Sequence, residues 1–349
     1  MKRLLFLSII LSALMVNASE PVKQDSRYLW PEDYMADPAA HVFDGKVYIY
    51  TSHDWDSPVT DGTDGAHFDM RDYHAFSIEG DPMTGRVTDH GAVLSIDDVP
   101  WVWKQMWATD VAEKDGRYYL YFSAKDKNGL FRLGVAEADS PAGPFKADPA
   151  PIHGSYSIDP AVLSDGGEYY IYFGGLQGGQ NQRYDLDNII RECGTLPAKT
   201  DTAVPPRVAR LTADMRQFAE SPRPVVITDS LGHQLTEGDS RRFFEAPWVN
   251  KIGDKYYLTY STGNFHTLCY ATGVSPYGPF VYGGEILTPV TGWTTHQSLV
   301  EYDGKWYLVY HDSRPSGGVS SLRSMKVTPL TILSDGNILT IDGEKQSKK

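Results

Sequence analysis

The chain has 349 residues, with 32 Lys or Arg and 45 Asp or Glu, which gives a formal net charge of −13. This charge repels nucleic acids and anionic membrane surfaces, so it disfavours both as partners and favours a neutral ligand. The 22 tyrosines and 8 tryptophans suit β-strands and also suit contacts with sugar rings.

The start of the chain has the pattern of an export signal. Two basic residues precede an apolar run over residues 4–16, and a small-x-small site ends at Ala18. The run is too short to span a membrane comfortably. We therefore expect residues 1–18 to be a signal peptide and residues 19–349 to form one domain without membrane insertion, periplasmic or secreted. In an exported protein these two cysteines, Cys193 and Cys269, either form one disulfide or stay free, and the sequence leaves both alternatives open.

One pattern occurs five times along the chain: a short apolar run, a turn that contains glycine, and a tyrosine-rich run with strand composition. Its clearest copy, at residues 243–263, reads FFEAPWVNKIGDKYYLTYSTG. A third and a fourth strand-like run follow each hairpin, and the fourth is at residues 225–227 in the third repeat and 338–340 in the fifth. Five units of four short antiparallel strands predict an all-β, five-bladed β-propeller.

Two long insertions interrupt the repeats, around residues 54–72 and 177–206. Long loops in a compact domain are frequently functional, so we expect these insertions to shape a substrate site at the rim of the central opening. The first begins with DWDSPVTDGTDG, which has the composition of an ordinary surface turn. Its spacing fits no ordered calcium-loop pattern.

Ionisable residues stand at corresponding positions of the repeats. Eight residues before each turn glycine stand, in chain order, Asp37, Ala108, Asp159, Glu245 and His296. Because the first strand of each blade lines the channel of a propeller, these side chains are expected to form one ring. Unpaired buried charge is destabilising, so the ring predicts a chemical role. The alternative is that Asp-Pro, present at two of these sites, merely begins a strand.

Carboxylates around one channel suit glycoside hydrolysis, in which one activates a water and another protonates the departing oxygen. Glu245 is flanked by Phe243, Phe244 and Trp248, and these apolar neighbours are predicted to raise its pKa and keep it protonated as the acid. Asp37 has a more polar context and is the better candidate for the base. Asp159 is a third carboxylate that can tune and orient the acid.

The motifs around these residues resemble those of family 43 of the glycoside hydrolases, inverting enzymes on a five-bladed propeller. The matching segments are ADP at 36–38, WATD at 107–110, SIDPA at 157–161 and FEAP at 244–247. The family commonly has WAPD where this chain has WATD. The resemblance implies that Asp37 is the general base, Asp159 the modulator of the acid's pKa and Glu245 the general acid.

Within the family, stretches such as HFDMRDYHAFSIE and GSYSIDPAV resemble the group with β-xylosidase activity, often accompanied by α-L-arabinofuranosidase activity. This implies an exo-acting, inverting hydrolase that releases xylose from β-1,4-xylo-oligosaccharides or β-xylosides. An α-L-arabinofuranosidase or arabinan-degrading enzyme of the same family remains open. A retaining propeller hydrolase is a further rival. A non-catalytic propeller lectin is another, although the unequal ring favours a single central site.

Four further residues are candidates for binding. The resemblance implies a calcium ion held in the channel by His296 and waters, although calcium normally prefers oxygen ligands. It also implies that Arg323 reaches a substrate hydroxyl, with Arg314 as its rival and a solvated strand charge as the alternative for each. Trp107 is expected either to form the apolar wall of a sugar site or to pack between blades.

Overall fold

The structure, a computed structural model, describes residues 20–59, 62, 64–191, 194–263 and 266–344. The predicted signal peptide and Cys193 lie outside the described residues. Cys269 is a buried free cysteine. No described helix is long and apolar enough to cross a membrane.

Five small sheets, one for each sequence repeat, make up the described chain, and we number them blades 1 to 5 in chain order. Blade 1 consists of Met35–Phe43, Lys46–Asp54, Met70–Glu79 and Arg86–Ser95, and blade 2 of Val102–Lys114, Arg117–Asp126, Phe131–Ala138 and Lys146–Ala147. Blade 3 consists of Ala161–Asp165, Glu168–Phe173, Arg207–Arg210 and Arg223–Pro224, and blade 4 of Phe243–Ile252, Lys255–Thr262, Leu268–Gly273, Phe280–Leu287 and Ile227–Thr228. Blade 5 consists of Gln297–Tyr302, Lys305–Asp312, Ser324–Leu330 and Arg27–Tyr28. The described residues also form three 3₁₀-helices, at Ile96–Asp98, Gln177–Gly179 and Asn181–Arg183.

The blades close into a circle. The first strand of each blade contacts the first strand of the next, and that of blade 5 contacts that of blade 1. Side chains join the blades: Asp110 of blade 2 pairs with His41 Nε2 of blade 1 and accepts from the backbone N–H of Val162 in blade 3, both at 2.6 Å. The prediction of an all-β, five-bladed propeller is confirmed.

The hydrophobic core lies between the blades. Five buried clusters each join residues of neighbouring blades, and the tyrosine-rich second strands supply many of them. Tyr50 and Tyr172 are fully buried, and their hydroxyls donate to the carbonyls of Pro141 and Pro276, each at 2.6 Å. Those prolines belong to the repeated Ser-Pro-x-Gly-Pro-Phe turn of the following blade, so the turn is an acceptor that satisfies a buried phenol.

Two of the predicted fourth strands are wrong. In blade 5 the outer strand is Arg27–Tyr28 from the start of the described chain, paired with Ser324–Leu330, and residues 338–340 do not take that place. In blade 3 the fourth strand is Arg223–Pro224, whereas Ile227–Thr228 pairs in parallel with Phe280–Leu287 at the edge of blade 4. A sequence repeat assigns each run to the preceding hairpin, but pairing covers exposed edges with whichever segment lies beside them.

The hairpin turns explain an error in the predicted ring. In blades 1, 2 and 5 the turn is Asp-Gly with positive φ at both residues, as a type I′ turn requires. In blade 4, where Ile252 pairs with Lys255, the glycine is the first turn residue and the only one of the two with positive φ. Counting back from the glycine of blade 4 therefore selects a residue one position too early in the chain.

The strand pairing gives the corrected positions. Seven residues before the first residue of each turn stand Asp37, Ala108, Asp159, Ala246 and His296. The prediction that Glu245 is equivalent to Asp37 is therefore wrong, because Glu245 lies one residue earlier. Consistently, Glu245 lies opposite Ser261 in blade 4 as Ala36 lies opposite Ser52 in blade 1.

Candidate active site

The first strands surround a cavity of about 320 Å³. The five side chains that the sequence placed in one ring all line it: Asp37, Ala108, Asp159, Glu245 and His296. Both predicted insertions contribute to its wall, the first through residues such as His67 and Phe68 and the second through residues 177–179. The one-residue shift at Glu245 therefore does not remove its carboxyl group from the site.

Asp37 is held as an ionised carboxylate. It sits at a β-bulge with a left-handed backbone (φ 52°), a conformation that Asp tolerates better than most residues. Ser52 Oγ donates to Oδ2 at 2.8 Å and Arg323 Nη1 to Oδ1 at 2.9 Å, while His311 Nδ1 accepts the backbone N–H at 3.0 Å. Burial raises the pKa of Asp37, but Arg323, the neighbouring histidines and Ser52 together hold it at about 2.

Arg323 is fixed by a second carboxylate. Its Nε and Nη2 donate to the two oxygens of Asp54 at 2.8 and 2.7 Å, and its backbone N–H donates to Asp54 at 2.9 Å. The guanidinium also lies 5.0 Å from the ring centre of Phe68. Burial lowers the pKa of Arg323, but the charges of Asp37 and Asp54 outweigh it and raise the pKa above the ordinary value. The charged guanidinium of Arg323, which Asp54 holds through two hydrogen bonds, therefore orients Asp37.

Glu245 is the protonated carboxyl group of the cavity. The backbone N–H of Ala246 donates to Asp159 Oδ2 at 2.9 Å, and Glu245 Oε1 lies 3.6 Å from His266 Nδ1. Burial, followed by the charge of Asp37, raises the pKa of Glu245 to about 8. Burial and the charge of Glu245 also raise the pKa of Asp159. At neutral pH the cavity therefore presents an ionised Asp37 and a protonated Glu245.

Comparison with known proteins agrees with this chemistry. The profile of Glycosyl hydrolases family 43 matches residues 35–338. The chain belongs to this family. A xylosidase/arabinosidase of Bacteroides ovatus is 57% identical over 327 residues, which cover 93% of this chain and 100% of the relative. A β-xylosidase of Xylanibacter ruminicola is 55% identical over 317 residues, 90% of this chain and 99% of the relative.

A solved structure is similarly close to this family 43 chain. It is the calcium-free form of a β-xylosidase/α-arabinofuranosidase from a compost microbial metagenome, in complex with xylotriose. It shares 52% identity with a TM-score of 0.89, and the match covers 93% of this chain and 100% of that chain. The predicted family is confirmed, and the protein is a glycoside hydrolase.

The apolar surroundings of Glu245 in this family 43 hydrolase differ from the prediction. Phe244 lines the cavity, whereas Phe243 packs against Tyr260 and Trp248 belongs to the core between blades 4 and 5. Neighbouring strand residues point to different sides, so only one of the three predicted aromatic residues borders the site. Trp293, which the sequence analysis missed, lies 6.1 Å from Phe244 between ring centres and also lines the cavity.

Trp107 has a position compatible with both interpretations that the sequence left open, and its contact with a sugar stays a prediction. It lines the cavity, and it is also packed, with only 9% of its surface exposed. Its Nε1 donates to the carbonyl of Phe68 at 3.0 Å, and its ring centre lies 4.7 Å from that of Phe131. A Cβ at Gly65 would come within 2.6 Å of the indole, so the first insertion needs glycine there to close on this wall.

Three residues that orient Asp37 were not identified from the sequence: Ser52, Asp54 and His311. Ser52 and Asp54 alternate along the second strand of blade 1, which places both on the side of Asp37. The interpretation of Asp54 as part of an ordinary surface turn is wrong, because it is 1% exposed and clamps Arg323. Arg314, the rival of Arg323, pairs with Glu344 and is not among the cavity-lining residues.

His296 is a neutral imidazole beside two carboxylates. Its Nδ1 lies 3.6 Å from Asp37 Oδ1 and 4.0 Å from Asp159 Oδ2, and burial lowers its pKa to about 4 despite the charge of Asp37. A neutral imidazole can ligate a cation. The group of three metal-donor side chains found among the described residues does not include His296, so an ion there would take most of its ligands from water.

Proposed function

We propose that this glycoside hydrolase is an exo-acting, inverting β-xylosidase that releases xylose from β-1,4-xylo-oligosaccharides or β-xylosides. The observation that carries the chemistry is the opposite protonation of two carboxyl groups in one cavity, with a pKa of about 2 for Asp37 and about 8 for Glu245. One is a base and the other an acid at neutral pH, the pair that glycoside hydrolysis uses. The names of the relatives and the xylotriose complex of the similar structure support the choice of sugar.

In the proposed reaction Asp37 takes a proton from a water molecule while the water oxygen attacks the anomeric carbon. Glu245 donates its proton to the glycosidic oxygen as the bond to the leaving group breaks. Asp159, which accepts from the backbone N–H of Ala246, orients the strand that carries Glu245, and Arg323 holds Asp37 in line. Asp37 and Glu245 come from blades 1 and 4, which supports an attack from the side opposite the leaving group.

The size of the cavity supports action at a chain end. Its volume of about 320 Å³ lies at the lower end of the range for small-molecule sites, about 300–1,000 Å³. The two insertions enclose this space, which favours a terminal sugar over a long internal stretch of polysaccharide. α-L-Arabinofuranosidase activity in the same pocket is the second candidate, because the relative from Bacteroides ovatus is named for both sugars.

Turnover and product stereochemistry test this function. Nitrophenyl β-xyloside and nitrophenyl α-L-arabinofuranoside are compared by kcat/KM, and xylotriose hydrolysis is followed by NMR from the first seconds. We expect β-xyloside to be the better substrate and α-xylose to be the first anomer released. Release of β-xylose first, or trapping of a fluorinated sugar on Asp37, would establish the retaining rival. Sugar binding without turnover would establish the lectin.

The proposed function includes a calcium ion at His296 and export of the mature protein. A bound calcium ion supplies positive charge beside Asp37 and Asp159, and one similar structure is described as a calcium-free form. If calcium binds the folded state, chelation lowers the melting temperature by mass action and calcium restores it. An unchanged melting temperature with no calcium in elemental analysis excludes the ion.

Mass spectrometry of the exported protein tests the cleavage after Ala18.

A further inference from the structure

We propose that blade 1 carries a binding site for zinc or a similar divalent transition-metal ion, formed by His53, Asp72 and His74 and separate from the catalytic cavity. One ligand atom from each of these side chains lies within 4.8 Å of the other two. It is the one group of this kind found in the described parts of the chain. None of the three residues lines the catalytic cavity.

The distances around Asp72 fit a metal ion. Its Oδ1 lies 2.8 Å from His53 Nδ1 and 3.6 Å from His74 Nε2. Two ligands that are each about 2.0–2.1 Å from a tetrahedral zinc are about 3.3 Å apart. The observed separations lie on either side of that value, so an ion can enter with small side-chain adjustments. The exposed fractions of the three side chains, 16%, 11% and 15%, leave a path from solvent.

The second nitrogen of each histidine faces another carboxylate. His53 Nε2 lies 3.3 Å from Asp33 Oδ2, and His74 Nδ1 lies 3.2 Å from Asp89 Oδ1. This is the arrangement that orients metal-ligating histidines, in which the remote N–H donates to a carboxylate. Trp55 Nε1 completes it by donating to the other oxygen of Asp72 at 3.1 Å.

The carboxylates on both sides of each imidazole also favour a cation between the two rings. His53 and His74 each face carboxylates at both nitrogens, because they share Asp72 and have Asp33 and Asp89 on their outer sides. A metal ion between the two inner nitrogens and Asp72 accepts both lone pairs and leaves both outer N–H groups paired.

The ligand set selects the kind of ion. Two imidazoles and one carboxylate suit zinc and the late first-row divalent metals, whereas calcium and magnesium prefer oxygen ligands. Three protein ligands leave a fourth position for water. The site would also support the catalytic centre mechanically, because His53 lies between Ser52 and Asp54, whose side chains contact Asp37 and Arg323.

Zinc titration of the full exported chain tests this proposal. The protein is prepared without a polyhistidine tag, stripped with a chelator and titrated with zinc chloride by calorimetry and by melting temperature. We expect one equivalent of zinc to bind and to raise the melting temperature. His53→Gln and His74→Gln should each weaken this binding by more than about tenfold, and Asp89→Asn, which changes only the outer carboxylate, by about 10–100-fold. His90→Gln is the matched control, because its Nε2 contacts Ser77 and not the cluster.

Two further measurements distinguish zinc in blade 1 from zinc bound elsewhere on the protein. The visible absorption of cobalt bound to the unmodified protein reports tetrahedral coordination without any substitution. His296→Gln should retain the zinc equivalent. The proposal is overturned if the unmodified protein takes up no zinc, or if the His53 and His74 variants bind it with unchanged affinity. It is equally overturned if the equivalent disappears in His296→Gln and persists in His74→Gln.

Discussion

Two carboxyl groups borne by first strands, Asp110 and Glu245, have opposite surroundings. Asp110, whose side chain is 0% exposed, accepts from the backbone N–H groups of Val111 and Val162 at 2.8 and 2.6 Å and pairs with His41 Nε2 at 2.6 Å. Glu245 has no hydrogen bond to its carboxyl group among the described residues. The carboxylate of Asp110 joins three blades, whereas Glu245, which borders the cavity, is left with a transferable proton. The hydrogen bonds therefore distinguish the structural Asp110 from the acid Glu245, whereas the base Asp37 is kept ionised by the bonds that it accepts from Ser52 and Arg323.

The largest expected effect comes from changing the reacting groups. Asp37→Asn and Glu245→Gln should each lower kcat/KM on nitrophenyl β-xyloside by about 10²–10⁴-fold, because one removes the base and the other the transferable proton. Asn tolerates the left-handed backbone at position 37, so the fold should be unchanged by circular dichroism.

Leaving-group dependence separates the two roles. When the glycosidic bond of a dinitrophenyl β-xyloside breaks, the dinitrophenolate leaves as a stable anion that needs no proton. Glu245→Gln should therefore recover most of its activity on that substrate, and Asp37→Asn should not. Retention of more than about a tenth of the original activity by either variant on nitrophenyl β-xyloside contradicts the role given to that residue.

The next effect concerns the positioning of Asp37. Arg323→Met leaves Asp37 and Asp54 without their buried cation, which should lower the free energy of unfolding by about 3–5 kcal/mol in urea titrations. It should also raise the pKa of Asp37 and move the acidic limb of the kcat/KM profile to higher pH. Arg314→Met is the control, because its partly exposed pair with Glu344 contributes under about 1 kcal/mol. If the acidic limb of Arg323→Met stays at the original pH, Arg323 does not lower the pKa of Asp37.

A smaller effect is expected at the structural carboxylate. Asp110→Asn keeps the shape but replaces an acceptor oxygen with a donor, which leaves one buried N–H unpaired and should cost about 1–3 kcal/mol of unfolding free energy. kcat should remain within a few-fold of the original. Asp139→Asn, at a side chain that is 82% exposed, should change the free energy of unfolding by less than about 0.5 kcal/mol. A large loss of kcat in the folded Asp110 variant would move this residue into the catalytic machinery.

The sequence predicts the features of this protein that repeat locally. Five hairpins with glycine turns predict the blades, and the ring residue Asp37 follows from its distance to Gly45. It does not predict contacts between distant segments. The clamp between Asp54 and Arg323 joins residues 269 positions apart, and Arg27–Tyr28 completes a blade near the other end of the chain. The shift at Glu245 has a local cause, since the Gly-Asp turn of blade 4 differs in type from the Asp-Gly turns.

The last expected effect is on stability and comes from the proton that Glu245 holds in the folded protein. The pKa of Glu245 is about 8 in the folded protein against an ordinary value of 4.5. Between these pH values the folded state holds a proton that the unfolded state has lost, so the free energy of unfolding falls as pH rises through this window. Asp37 acts in the opposite sense, but its stabilisation is lost only as pH falls toward about 2, outside the window.

Glu245→Gln should therefore be more stable than the unmodified protein at alkaline pH, although it is nearly inactive. Urea midpoints of both proteins at about pH 5 and about pH 9 measure this, and we expect the difference to grow with pH because only the unmodified chain must bury a new charge. Above about pH 8 the unmodified enzyme should also lose kcat/KM, since the same deprotonation removes the acid. Parallel stability curves for the two proteins would show that Glu245 is ionised throughout, and Asp159 would then have to be the proton donor.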